Sequence, residues 1–148
     1  MKVIDTYNAI VGAAVAVLSY ILGEHWILFA LFLGLNVVDW LTGWIKAKIT
    51  GSESSKTGLI GILKKFAYWM VVIASFSLSA AFVEVGKIID MNLGVTTLLG
   101  WFVLASFLVN EGRSICENFV EMGVEVPKVL VKGLQVANKV VNQEDDNE

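Results

Sequence analysis

From Trp26 to Lys48 the chain carries an apolar run of about 20 residues, a length that crosses a bilayer, and Asn36 and Asp39 stand inside it. A carboxylate within such a run is costly unless it has a partner, water or a task. The run then passes through Thr42, Gly43 and Trp44 into a basic stretch holding Lys46 and Lys48. A chain built on this segment has to satisfy hydrocarbon and a charge together.

Composition points the same way. Hydrophobic residues make up 56% of the 148 positions, the mean hydropathy is +0.70, and the apolar residues fall in long blocks, which favours a polytopic membrane protein over a soluble domain. Cys116 is the only cysteine and His25 the only histidine. An internal disulfide, a zinc site, a Cys/His pair and a Ser/His/Asp triad are therefore not expected. No Gly-rich phosphate loop and no basic patch interleaved with aromatics is visible. The chain is expected to be non-enzymatic, to carry no cofactor or metal, and not to bind nucleic acid.

Four apolar segments are read at about 7–22, 26–45, 66–83 and 93–110, giving an all-α polytopic membrane protein with four transmembrane helices, or three if the short first segment does not cross. At about 1.5 Å per residue the last three reach roughly 27–30 Å, near the hydrocarbon thickness. The first reaches roughly 24 Å and would need local thinning of the bilayer or a tight hairpin through Gly23, Glu24 and His25. Asp5 and the lack of a small-x-small cleavage site argue against a signal peptide. Lys46, Lys48, Lys56, Lys64 and Lys65 follow the second segment, and Arg113, Lys128, Lys132 and Lys139 follow the fourth. The positive-inside rule places both groups in the cytoplasm, with Lys2 beside them in the four-span reading and Lys87 opposite. The expected location is the bacterial inner membrane, with the C-terminus cytoplasmic and the N-terminus with it if four segments cross.

Residues 1–123 read as the membrane domain and 124–148 as a cytoplasmic appendage. The fourth helix is expected to run on through Glu111–Met122 and stop near Gly123, a common helix-ending residue. Pro127 suits the first position of a new helix. Beyond it Leu130, Leu134, Ala137 and Val141 recur at helical spacing, with Val129 and Val140 beside them and Lys128, Lys132, Gln135 and Lys139 largely elsewhere. This is an amphipathic helix that could pair with its copies or lie on the inner leaflet. An acidic tail from Glu144 to Glu148 follows.

Several residues could carry function. Asn36 and Asp39 share a helix face, continued by Gly43 and Lys46. They either line water in an open pore or make structural contacts near the inner interface, Asp39 pairing with Arg113 or a lysine. Ser75 and Ser79 lie one turn apart and could serve packing within a protomer or between copies. Glu111, Arg113, Glu117, Asn118 and Glu121 form either a solvated helix face or a salt-bridge latch to Lys64, Lys65 or Asp39. Trp26, Trp40, Trp44 and Trp69 fit interfacial belts, whereas Trp101 falls mid-span.

Two blocks carry a family resemblance. The first runs Asp39, Thr42-Gly43, Lys46-Ala47, Ser54-Ser55, Gly58 and Lys64-Lys65; the second is Asn110-Glu111, Ile115, Glu117-Asn118, Gly123 and Val126-Pro127-Lys128. In order and spacing they resemble the toxin-secretion/phage-lysis holin family, which includes holin-like proteins of clostridial toxin loci. The resemblance implies a small, non-enzymatic membrane protein that oligomerises and opens lesions in the bacterial inner membrane. The lesions release an endolysin, with no direct contact required, or a toxin. Its partners would be lipid and copies of itself, and Asn36, Asp39, Thr42, Gly43, Lys46, Ser75, Ser79, Glu111, Arg113, Glu117 and Asn118 are the pore or oligomerisation candidates. The rival readings are a small four-helix transporter, for which Asp39 is the one intramembrane carboxylate, and a non-lytic membrane scaffold.

Overall fold

The computed structural model describes residues 6, 8–13, 15–16 and 23–142, and the chain divides into two compact units, Met1–Gly34 and Leu35–Glu148. Half of the first expected span and the acidic tail lie outside the described residues; residues 8–13 and 15–16 are helical. In the first unit, Gly23 turns the chain with a left-handed φ of 74°, and Phe29 and Phe32 are buried.

Four α-helices follow: α1 over Trp26–Thr50, α2 over Ser55–Ile88, α3 over Leu98–Glu121 and α4 over Lys128–Asn142, with one turn of 3-10 helix over Gly94–Thr97 before α3. Among the described residues three helices are long and apolar enough to cross a membrane, the third counted from Gly94. Together with the all-helical fold this is the architecture read from the apolar segments. Two boundaries differ. Helix α2 has 34 residues, about 51 Å of helix against a hydrocarbon core of about 30 Å, so it begins well before the expected span at Phe66. The connection between α1 and α2 is correspondingly short, because Ser54 caps α2 by accepting the Thr57 N–H.

Each helix ends on local chemistry. Past α3, Gly123 adopts φ 81°, the Gly123 N–H returns to Val120 O and the Val124 N–H to Phe119 O. This paired closure satisfies carbonyls that the helix end would leave bare. Past α2 the left-handed residue is Asp90, at φ 55°, a residue type that tolerates this region, and the Met91 N–H bonds Gly86 O. Pro127 stands just before α4, its carbonyl accepting from Leu130 and Val131, one position ahead of the expected one.

Helices α2 and α3 pack antiparallel in a register that can be read contact by contact. Lys65 meets Glu111, Tyr68 stacks on Phe107 at 4.5 Å, and Phe76 meets Trp101 edge-on at 4.9 Å. Val72 and Leu104, both 1% exposed, lie between these levels. Each step of three or four residues along α2 matches one back along α3, the ridge spacing of packed helices. Trp101, out of place in an interfacial belt, thus takes a helix-packing role. At that level α3 carries Gly100, where a Cβ would lie 2.6 Å from the Phe76 ring. Large apolar side chains face outward, including Phe66, Ile73 and Leu63, each more than half exposed. In water such a surface would be a liability; in a bilayer it faces its own solvent.

Candidate functional site

The polar residues inside these apolar helices converge at one level. Lys65 of α2 places its ammonium 2.7 Å from Asp39 Oδ2 of α1 and also bonds Glu111 Oε2 of α3. Glu111 is 1% exposed, and Asp39 and Lys65 are largely covered. One cation is therefore shared by two carboxylates from two other helices. Helix spacing explains why each side chain can arrive: Asp39 and Thr42 share a face of α1 and Glu111 and Asn118 lie two turns apart on α3.

Asn118 extends the cluster. Its Nδ2 donates to Asp39 Oδ1 at 3.1 Å, to Thr42 Oγ1 at 3.1 Å and to Asp39 O at 3.4 Å. The Thr42 hydroxyl in turn donates to Asp39 O at 3.1 Å. Gly43 lies beside this approach, and a Cβ there would make ordinary contact with Asn118 Nδ2, at 3.7 Å. One turn further, Lys46 pairs with Glu121 at 3.4 Å in a more exposed position. These contacts show α1 and α3 running parallel, with α2 antiparallel to both.

Thus Asp39, Thr42, Gly43, Lys46, Glu111 and Asn118, expected from the sequence to matter, are brought to one place. Five others are not part of these contacts. Arg113 and Glu117 pair with each other at 2.8 Å across one exposed turn of α3 instead of reaching the cluster. Ser75 and Ser79 are buried in α2, and their hydroxyls donate back to Val71 O and Ser75 O within their own helix, the usual solution for a hydroxyl in an apolar helix. Asn36 is buried in α1.

Lys65 is the hub that the sequence reading did not single out; it stood there as one of three possible latch partners. Its signal was position, since Lys64 and Lys65 border the apolar segment that starts at Phe66. Chemically the cluster holds charge and joins three helices. Removing one partner of such a buried pair leaves a charge uncompensated, at a cost of about 3–5 kcal/mol.

Three apolar helices tied by a buried ionic cluster define a polytopic α-helical membrane protein. The chain belongs to the bacteriophage holin family, whose model matches residues 16–139. It is 31% identical over 118 residues to a probable holin of Bacillus phage phi105, covering 80% of this chain and 78% of that one. It is 34% identical over 128 residues to an uncharacterized protein of Halalkalibacterium halodurans, covering 86% and 88% of the two chains. A Clostridium perfringens protein encoded in the nagH 3′ region shares 31% over 102 residues, 68% of this chain and 69% of its own. No solved structure matches the chain significantly.

Proposed function

We propose that this chain accumulates in the cytoplasmic membrane of a bacterium, associates with its own copies and opens lesions through which an endolysin reaches the peptidoglycan. The observation that carries this reading is the Lys65 cluster in a chain of the holin family. Its charges are satisfied inside one protomer, between helices joined at that level by polar side chains. Helices held this way insert as a closed unit. Once they part in an assembly, Asp39, Lys65 and Glu111 become a polar face that water can wet, and intramembrane charges mark such water paths. The reading needs no covalent chemistry. Passage of a toxin through the same lesion is a second use that this mechanism permits.

The lysines and arginine clustered at the end of the helices that bears the Thr50–Ser55 turn support a cytoplasmic location for that end and for α4. Induced expression in a bacterium, with and without a cytoplasmic endolysin, tests the function. Abrupt loss of culture density only when both proteins are present is the expected result. Continued growth with both present, with the chain verified in the membrane, would point to a transporter or scaffold.

A further inference from the structure

Helix α4 has two apolar faces. One docks on α3: Leu134 lies against Gly112, where a Cβ would be 3.2 Å from Leu134 Cδ2, and Val131, Leu134, Ala137 and Val141 on this side are half-buried. The other is Val129, Val136 and Val140, at 79%, 62% and 67% exposure. Their spacing of seven and four residues sets them on one stripe. Lys128, Lys132 and Lys139, also seven and four apart, form the adjoining stripe, and all three are exposed. No acidic residue falls within α4.

The docking contact also fixes where this second face goes. Gly112 follows Glu111, the residue that meets Lys65 at the border of the apolar part of α2. Helix α4 runs back along α3, so the residues beyond Leu134, with Val136 and Val140, are carried from the turn at Gly123 toward the edge of the hydrocarbon. A valine stripe with a lysine stripe beside it, carried back toward that level, offers apolar surface to acyl chains and cations to anionic headgroups.

We infer that the Val129–Val136–Val140 face of α4 docks on an anionic lipid surface, with Lys128, Lys132 and Lys139 over the headgroups. The helix then joins the membrane twice, through α3 and through its own valines. This inference requires membrane insertion only and is independent of lesion formation. A lysine near an anionic surface contributes roughly a five-fold factor to the partition, so losing Lys128 and Lys132 together should lower lipid contact about 25-fold.

The test uses the full chain in vesicles of phosphatidylcholine, with or without phosphatidylglycerol. An environment-sensitive fluorophore is attached to V136C in a Cys116→Ala background. The expected result is quenching by nitroxide-bearing lipid and protection from aqueous iodide in the anionic vesicles. Both effects should fade at high salt and in K128Q/K132Q, and persist in K128R/K132R. Because high salt acts on the unaltered helix, misfolding of the lysine variants cannot mimic the result. Iodide access in both vesicle types would overturn the inference, as would lipid contact indifferent to salt and to the lysines. Protection that tracks the protein-to-lipid ratio instead of lipid charge would mean that a second copy covers the face, and would overturn it too.

Discussion

Lys65 of α2 reaches Asp39 of α1 at 2.7 Å, and the same ammonium holds Glu111 of α3. One side chain therefore touches both of the other helices. Lys65→Met should be the most damaging single change in the cluster, at about 3–5 kcal/mol, because it strands two carboxylates. Thermal unfolding of the detergent-solubilised protein measures this. Adding Asp39→Asn and Glu111→Gln to Lys65→Met should recover much of the loss, since no lone charge remains; no recovery would mean that packing, not charge, sets the cost.

Asn118 is the hinge between Asp39 and Thr42. Asn118→Leu should cost about 1–3 kcal/mol, the range for leaving buried partners unsatisfied. Thr42→Val combined with it should be non-additive, with a coupling of roughly 0.5–3 kcal/mol in a double-mutant cycle. Additive losses would show that the two residues act separately.

The outlying pairs serve as controls. Arg113→Ala and Glu117→Ala should each change stability by less than about 1 kcal/mol, because their ion pair is exposed and lies on one helix. Lys46→Ala should behave similarly, its partner Glu121 being mostly exposed. A loss at Arg113 as large as that at Lys65 would contradict the placement of the ionic core.

Two glycines should respond differently. Gly100→Ala puts a methyl into the Phe76 ring and should cost about 1–3 kcal/mol by overpacking; Phe76→Leu alongside it should restore part of the loss. At Gly43 the added Cβ would sit at ordinary contact distance from Asn118, so Gly43→Ala should be nearly neutral in the same unfolding measurement.

Under the proposed function, Asp39→Ala should shift the onset of lysis at equal expression, since it frees Lys65 from one of its two partners and changes how readily α1 parts from α2 and α3. Onset is read from culture density in the presence of endolysin, with membrane levels checked by immunoblot. Unchanged onset would remove Asp39 from the opening step.

The sequence by itself determined the helices and their medium. Apolar run length is a local property, and so are the stop at Gly123 and the periodicity of α4; each was legible residue by residue, whereas the early start of α2 at Ser54 was not. It also marked Asp39, Thr42, Glu111 and Asn118 as polar groups in need of company. What only the tertiary structure decided is the company they keep. Lys65 rather than Lys64 or Arg113 meets Asp39 because the register of α2 on α3 is set by distant packing. Phe76 fits over Gly100, and Val72 and Leu104 are buried a few turns along. A residue's helix face can be counted along the chain. The level at which two helices meet depends on the volumes of side chains that are far apart in sequence, and that information exists only once the helices are packed.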